Sequence, residues 1–148
     1  MCAHDRLVLD VMLGKLATFL RMCDYDTAYA LDRGLEADGP ILQLAATENR
    51  TLLTRDEQLA AQATDAVLLT ERGIEGQLKE LQAVGIALSL SARPRRCSNC
   101  NGELESADAD EAPAHVPDDA EPYRCRDCGQ WFWKGSHWDA VRETLSTL

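Results

Sequence analysis

The fold is decided by a ten-residue stretch near the start of the chain, Leu7-Val8-Leu9-Asp10-Val11-Met12-Leu13-Gly14-Lys15-Leu16. Its first three residues are wholly apolar, which favours a short buried strand in a parallel sheet. The apolar residues that follow keep the spacing of one helix face: Leu13, Leu16, Ala17 and Leu20. Asp10 would then stand at the carboxyl end of the strand, where open α/β sheets bind ligands. Taken alone, Asp10 could equally be the N-cap of the helix.

The order of strand, aspartate and helix recurs farther along the chain. Residues 51–54 form a short run centred on two leucines, Arg55 and Asp56 follow, and residues 57–63 have a helical pattern. Asp38 is predicted to cap a helix over residues 38–49. The remaining predicted strands cover residues 26–30, 66–69 and 86–90, and the remaining helices cover 74–84 and 138–145. Such alternation predicts an α/β fold with an open parallel sheet flanked by helices.

The size and composition of the chain suit one ordinary domain with a small addition. It has 148 residues, and its hydrophobic share of 45% can fill a core. No apolar run approaches the roughly 18–20 residues that span a bilayer, so no membrane partner is expected. Asp10 interrupts the first apolar stretch, which argues against a signal peptide. The sequence therefore predicts a cytoplasmic protein.

The negative charge of the chain is concentrated in one place. The net charge is −10, from 25 acidic and 15 basic residues. Residues 103–121, here called the acidic segment, hold eight of the acidic residues and no Lys or Arg. The rest of the chain is close to neutral, so the overall acidity does not exclude a nucleic acid partner. With few large apolar residues, the acidic segment is predicted to be a mobile loop that folding does not require.

Two Cys-x2-Cys pairs bracket the acidic segment: Cys97 with Cys100, and Cys125 with Cys128. Four thiolates at this spacing predict a closed, structural Zn²⁺ site. Disulfides are the alternative, but a reducing cytoplasm disfavours them. The chain is therefore divided into an α/β domain at residues 1–92 and a zinc ribbon at residues 93–148. The ribbon region includes the acidic segment and a short C-terminal helix.

Basic and aromatic residues gather around the second cysteine pair. They are Arg124, Arg126, Trp131, Trp133, Lys134, His137 and Trp138. Such a mixture can stack bases and hold phosphates, which predicts RNA contacts, with Arg126 and Lys134 as the main cations. The tryptophans could instead form the core of the small ribbon. Both interpretations remain open at this point.

Three aspartates fall where predicted helices begin: Asp10, Asp38 and Asp56. The carboxyl ends of parallel strands meet at one edge of a sheet, so these carboxylates are expected to converge. Clustered carboxylates bind Mg²⁺ or Mn²⁺, and such ions can activate water for phosphodiester cleavage. The alternative is three independent helix caps.

The sequence resembles the Mut7-C ribonuclease domain family, a variant of the PIN nuclease fold with an attached zinc ribbon. The residues that carry the resemblance are Leu9 to Ala17, Leu20-Arg21-Met22, Tyr25-Asp26-Thr27, Leu52 to Asp56, Gln77-Leu78, Cys97 to Asn101, Cys125 to Cys128 and Trp133 to His137. The resemblance implies metal-dependent cleavage of RNA by an acidic cluster. Asp10 and Asp56 match that pattern best, and Asp38 comes next.

The resemblance also raises the question of a fourth acid and of substrate contacts. Glu71 and Glu75 are the candidates for the fourth acid. Lys15 and Arg21 could contact substrate phosphate, or they could belong to a solvated helix face. Arg55 could do the same, or it could pair with a carboxylate.

Two other functions compete with the nuclease. A phosphoacceptor receiver domain also has acids at strand ends, but the chain lacks a second acid beside Asp10 and a lysine after the last strand. A noncatalytic RNA- or protein-binding adaptor that keeps the fold and the zinc ribbon is the main alternative. An adaptor would need zinc only, whereas the nuclease needs a second, exchangeable metal.

Overall fold

The computed structural model describes residues 5–148 and confirms the predicted α/β fold. Four parallel strands form one sheet: β1 (Arg6–Leu9), β2 (Asp26–Tyr29), β3 (Thr51–Thr54) and β4 (Ala66–Leu68). Their order across the sheet is β2-β1-β3-β4. The strand β1 therefore lies in the centre, as its apolar sequence predicts. The first four residues of the predicted range 1–92 lie outside the described residues.

Within residues 5–148, five helices accompany the strands: α1 (Gly14–Met22), α2 (Asp38–Thr47), α3 (Glu57–Gln62), α4 (Ile74–Ala83) and α5 (Ser136–Ser146). A short 3₁₀ turn over Val11–Leu13 joins β1 to α1, and another covers Ala30–Arg33. The prediction that Asp38 caps α2 is wrong. The helix begins at Asp38 itself, the preceding Ala37 occupies the N-cap position, and no side chain caps the helix.

The sheet separates two apolar cores because successive strand residues point to opposite faces. Leu7, Leu9 and Leu53 belong to the larger core, together with residues of α1, α4 and α5. Val8 and Leu52 belong to the smaller core, together with residues of α2 and α3. Helices therefore cover both faces, which explains why the central strands are apolar throughout.

The predicted strand at residues 86–90 is wrong. Burial alternates along this segment, since Ile86 is buried and Ala87 is exposed, but the segment forms no ladder with the sheet. Instead, Ile86 packs into the larger core, and the carbonyl of Ala87 accepts a hydrogen bond of 2.7 Å from the Tyr25 hydroxyl. The side chains of this segment thus follow a strand-like pattern, but its backbone is not part of the sheet.

The C-terminal region forms a small antiparallel sheet of β5 (Leu104–Ser106), β6 (Tyr123–Cys125) and β7 (Trp131–Phe132). This arrangement places the two cysteine pairs at one end of a ribbon. The prediction that the whole acidic segment is an irregular loop is wrong for residues 104–106, which pair with β6. Farther along the segment, Val116 is also buried.

The ribbon is joined to the edge of the parallel sheet through the turn that follows the first cysteine pair. The Asn101 side chain accepts a hydrogen bond from the Thr27 amide and donates one to the Asp26 carboxylate, both at 2.8 Å. Val141 of α5 packs into the larger core of the α/β unit. Within residues 5–148, no helix is both long and apolar enough to cross a bilayer.

Candidate active site and metal centre

Asp10 lies at the carboxyl end of β1 and is almost completely buried. Its backbone amide continues the pairing with β3 by donating to the Leu53 carbonyl at 3.2 Å. One carboxylate oxygen accepts a hydrogen bond from the Val11 amide at 2.8 Å, and the other accepts one from the Thr54 hydroxyl at 2.8 Å. Only 6% of Asp10 is exposed. Its carboxylate is thus held in a fixed orientation at the end of the sheet.

Thr54 connects Asp10 to the second aspartate. Its hydroxyl donates to Asp10 and accepts a hydrogen bond of 3.0 Å from the backbone amide of Asp56. The Asp56 side chain caps α3 through one oxygen, which accepts from the amides of Gln58 and Leu59. The capping interpretation of Asp56 is therefore confirmed. The second oxygen of Asp56 has no hydrogen-bond partner in the described part of the chain.

The carboxylates of Asp10 and Asp56 have no ion-pair partner in the described part of the chain. Within residues 5–148, neither carboxylate forms an ion pair with Lys, Arg or His. A buried charge is normally paired or bound to a metal, because its desolvation is costly. The nearly buried Asp10 thus offers a negative site suited to a cation.

Tyr29 and Asp32 extend this acidic region toward β2. The Tyr29 hydroxyl donates to the carbonyl of Val11. Burial raises the pKa of Tyr29, and the carboxylates of Asp32 and Asp10 raise this pKa further. Both carboxylates therefore act on the same phenol. Gly14 allows the close approach of this ring, since a Cβ atom there would lie 3.0 Å from the Tyr29 oxygen.

Sequence reasoning missed Thr54, Tyr29 and Asp32. The position of Thr54 at the end of a short apolar strand was the sequence feature that could have indicated its role. Thr54 is completely buried in the structure. Tyr29 is the last residue of β2 and Asp32 follows this strand, whose carboxyl end lies beside that of β1 because the two strands are parallel. Open α/β sheets bind ligands at the carboxyl ends of their strands, and this rule applies to β2 as it does to β1.

Asp38 lies on the exposed first turn of α2. Within residues 5–148, the four cysteines have ligand atoms that all lie within 4.8 Å of one another, whereas Asp10, Asp38 and Asp56 form no such group. The structure links Asp10 to Asp56 through Thr54, and the three aspartates do not all lie within this distance of one another.

The three cations predicted near the acidic site have different environments. Lys15 is exposed on α1. Arg55 is half-buried, and its Nε atom is buried without a hydrogen-bond partner in the described residues. Burial alone would raise the pKa of Glu80, but hydrogen bonds from backbone amides and the charge of Arg55 lower it. Arg55 is therefore close enough to a carboxylate to interact with it electrostatically.

Arg21 has a structural environment that differs from the predicted phosphate contact. Its guanidinium donates to the carbonyls of Thr27, Ser98 and Asn99 at 3.0–3.3 Å. It also forms an ion pair of 3.3 Å with Asp32. The Arg21 side chain is only 4% exposed. Because its donors are occupied within the protein, Arg21 joins α1 and β2 to the first cysteine pair.

The four cysteines come together, as their spacing predicts, in a group suited to a metal ion. Their Sγ atoms all lie within 4.8 Å of one another: Cys97, Cys100, Cys125 and Cys128. The Cys97–Cys128 sulfur distance is 3.8 Å, and the Cys100–Cys125 distance is 3.5 Å. A tetrahedral zinc with bonds of about 2.3 Å would place its sulfurs about 3.8 Å apart. The cluster therefore fits a structural metal such as zinc.

Backbone amides support two of these sulfurs. Gly102 donates to the sulfur of Cys100, and Asp127 and Cys128 donate to that of Cys125, each at 3.4 Å. Burial raises the pKa of the Cys97 and Cys100 thiols. At Cys125 burial acts in the same direction, but the amide donors outweigh it and lower the pKa. The amide donors thus favour the thiolate form at Cys125.

The basic and aromatic residues of the ribbon lie at its surface and edge. Arg126 is exposed and forms ion pairs with Glu105 at 3.1 Å and Glu103 at 3.7 Å. Lys134 donates to the Ala92 carbonyl, and its Nζ atom lies 5.4 Å from the centre of the Trp138 ring. The tryptophans of the ribbon are half-buried, so they pack in the module while keeping accessible area: Trp131, Trp133 and Trp138.

Comparison with known proteins gives one informative match. Neither curated proteins nor solved structures match the chain significantly. The model of the Mut7-C RNAse domain family matches residues 5–145, which is nearly the whole chain. This match covers the parallel sheet with Asp10 and Asp56 as well as the four-cysteine ribbon. The chain therefore belongs to the Mut7-C RNAse domain family.

Proposed function

We propose that this protein is a metal-dependent ribonuclease with a PIN-like site at the carboxyl edge of its parallel sheet. Its substrate is RNA, and its reaction is hydrolysis of phosphodiester bonds. The observation that carries the proposal is Asp10, a carboxylate with 6% exposure and no cationic partner in residues 5–148. The family assignment makes RNA the favoured substrate.

Asp10 and Asp56 are the proposed ligands of Mg²⁺ or Mn²⁺. A bound ion of this kind lowers the pKa of a water molecule and neutralises charge on a phosphate. Thr54 fixes the Asp10 carboxylate by donating to one of its oxygens. The amides of Gln58 and Leu59 hold one oxygen of Asp56 and leave the other available. The chain thus presents oxygen ligands in set orientations at two adjacent strand ends.

Two further acids are candidates to complete the site. Asp38 remains the third ligand suggested by the sequence, although it lies on an exposed helix turn. Asp32 is an alternative, because it acts electrostatically on Tyr29 together with Asp10. Its ion pair with Arg21 orients its carboxylate. Separate Asn substitutions at Asp32 and Asp38 distinguish them, since only the ligand should change the Mn²⁺ concentration that cleavage requires.

The proposal gives the ribbon a structural Zn²⁺ bound by the four cysteines. Lys15 and Arg55 are proposed to contact substrate phosphates near the acidic site, and Arg126 and Lys134 to contact RNA at the ribbon. Lys15 is exposed on α1, the helix that follows Asp10. Arg55 directly precedes Asp56 and has an unpaired buried Nε in the described structure.

The experiment is an RNA cleavage assay in which the second metal is supplied or omitted. Zinc-loaded protein is incubated with labelled single-stranded and structured RNAs, with Mn²⁺, with Mg²⁺ or with neither. In the metal-free control, the second metal is left out and not chelated with EDTA, because a chelator would also remove the ribbon metal. Cleavage that requires Mn²⁺ or Mg²⁺ is expected. If neither metal supports cleavage of any RNA, the noncatalytic adaptor replaces the nuclease proposal.

A further inference from the structure

A cavity of about 450 Å³ lies between α1 and the zinc ribbon, away from the carboxyl edge of the sheet. Thr18 and Met22 of α1 line one side. The ribbon and the start of α5 contribute four aromatic residues: Trp131, Phe132, Trp133 and Trp138. We call this cavity the ribbon pocket. Its volume falls within the range of about 300–1,000 Å³ that small-molecule sites occupy.

The charge of the ribbon pocket contrasts with that of the whole protein. The described residues that line the pocket include Arg96 and His137 but no Asp or Glu. The chain as a whole has 25 acidic and 15 basic residues. Arg96 forms an ion pair of 3.9 Å with Asp26, which does not itself line the pocket. A lining without carboxylates admits a ligand that carries negative charge, because no like charge faces it. Aromatic walls require that the same ligand also has a flat or apolar part.

The aromatic rings of the ribbon pocket are positioned by close contacts and remain partly accessible. His115 lies 6.0 Å from the Trp133 ring in a tilted arrangement. Gly135 allows the close approach of Trp133, because a Cβ atom there would lie 2.6 Å from the indole nitrogen. Arg124 lies 5.7 Å from the centre of the Trp131 ring. These contacts fix the rings, while both tryptophans stay only half-buried.

We propose that the ribbon pocket binds an unpaired nucleobase of the RNA strand that the acidic site cleaves. The aromatic rings stack on the base, and Arg96 lies near the adjoining phosphate. The inference rests on the proposed function, because it takes RNA as the substrate. Bases of every kind have a flat face, so the pocket tolerates different sequences.

Recognition of an unpaired base defines the class of RNA that binds. Bases in a duplex are already stacked and paired, and they cannot enter a cavity walled by aromatic rings without leaving the helix. The protein is therefore expected to favour single-stranded RNA or RNA with unpaired ends. The pocket holds the strand, and the acidic site cleaves it at a distance along the same strand.

The test measures RNA binding in the absence of Mg²⁺ and Mn²⁺, so that cleavage plays no part. A fluorescently labelled single strand without internal pairing is titrated with the zinc-loaded protein and followed by anisotropy. The same strand annealed to its complement as a blunt duplex is the competing probe. Wild-type protein is expected to bind the single strand at least about tenfold more tightly than the duplex. Equal affinity for the two probes, or no binding of the single strand, would overturn the inference.

The Trp133→Leu variant tests the pocket itself, because leucine keeps an apolar side chain but cannot stack on a base. Loss of one stacking contact should weaken binding of the single strand about 5- to 150-fold. Arg142→Gln, at an exposed cation on α5, is the matched control and should bind normally. Zinc content and the thermal midpoint verify that each variant is folded. Unchanged affinity in folded Trp133→Leu contradicts the inference.

The outcomes separate this inference from the proposed function. Asp10→Asn should bind the single strand as the wild type does, although it should not cleave it. If wild-type protein binds the single strand but never cleaves it with Mn²⁺, the proposed function fails while the pocket remains supported. If folded Trp133→Leu binds the single strand as tightly as the wild type does, the pocket inference fails while the nuclease proposal stands.

Discussion

The hydroxyl of Thr54 donates a hydrogen bond of 2.8 Å to the carboxylate of Asp10, and both side chains are buried. This bond crosses between β1 and β3, which are adjacent parallel strands. The same hydroxyl accepts a hydrogen bond from the amide of Asp56. Thr54 therefore connects the Asp10 carboxylate, at the end of β1, to the backbone of Asp56, which follows β3.

Replacing Thr54 tests this positioning role. Thr54→Val keeps the shape of the side chain but removes both hydrogen bonds. We expect it to lower the free energy of unfolding by about 1–3 kcal/mol, because buried polar partners lose their bonds. It should also raise the Mn²⁺ concentration needed for half-maximal RNA cleavage. Thr54→Ser keeps the hydroxyl and should restore the normal Mn²⁺ dependence, which a purely packing role would not predict.

The cysteine cluster predicts one zinc ion per chain, measurable by elemental analysis of freshly purified protein. Cys125→Ser should lose the metal and the order of the ribbon, since metal binding supplies much of the folding free energy of such modules. Amide hydrogen exchange should then increase in β5, β6 and β7 more than in β1 and β3. Protein without zinc that retains slow exchange in the ribbon would refute the assignment.

Substitution of Arg21 is expected to lower the stability of the protein strongly. Arg21→Ala leaves three backbone carbonyls without a donor, and we expect a loss of at least about 2 kcal/mol in urea unfolding. Arg21→Lys should recover little, because an ammonium group cannot reproduce the planar set of donors. The exposed Arg142→Lys is the control and should be neutral. A neutral Arg21→Lys variant would contradict the bridging role.

The ionisation of Asp26 is expected to make the stability of the protein depend on pH. Burial opposes ionisation, but hydrogen bonds from Asn101 and Arg50 and the nearby cationic charge lower the pKa of Asp26 from 3.8 to about 2. A carboxyl with a lowered folded pKa stabilises the protein above its unfolded pKa, and this stabilisation is lost as pH falls through the folded pKa. The expected window is therefore from about pH 4 down to about pH 2.

Asp26→Asn should reveal this contribution when compared with the wild type. At neutral pH the variant should be less stable by about 1–3 kcal/mol, since the buried Arg50 guanidinium loses a charged partner. The difference between the two proteins in unfolding free energy should shrink as the pH falls below about 4. Acid would release a ribbon zinc from both proteins, so the two are compared with each other at each pH. A difference that stays constant down to pH 2 would contradict the prediction.

Local sequence patterns were sufficient to predict the central strands of the parallel sheet. The strand predicted at residues 51–54 matches β3, because two leucines flanked by threonines fit a buried parallel strand. The segment at residues 86–90 has a similar pattern but forms no strand, because its backbone has no neighbouring strand to pair with. Side-chain periodicity reports which residues are buried, whereas sheet membership depends on distant partners.

The candidate site shows the same division between local and distant information. Asp10 and Asp56 could be located because each follows a short apolar strand. The role of Arg21 could not, since its acceptors Ser98 and Asn99 are more than seventy residues away in the chain. A basic residue on a helix has the same sequence pattern whether it contacts solvent, phosphate or a distant loop. Thr54 escaped notice for a similar reason, because threonine is common in strands of every kind.

The most direct measurement of the central claim is Mn²⁺-dependent RNA cleavage by Asp10→Asn and Asp56→Asn beside the wild type. Asparagine caps a helix about as well as aspartate, so Asp56→Asn should remain folded. Asp10→Asn should fold with a modest cost, because its amide offers one acceptor oxygen in place of two. The exposed Asp119→Asn controls for the loss of one negative charge. The nuclease account predicts that both site variants lose cleavage while Asp119→Asn retains it, and full cleavage by both would contradict it.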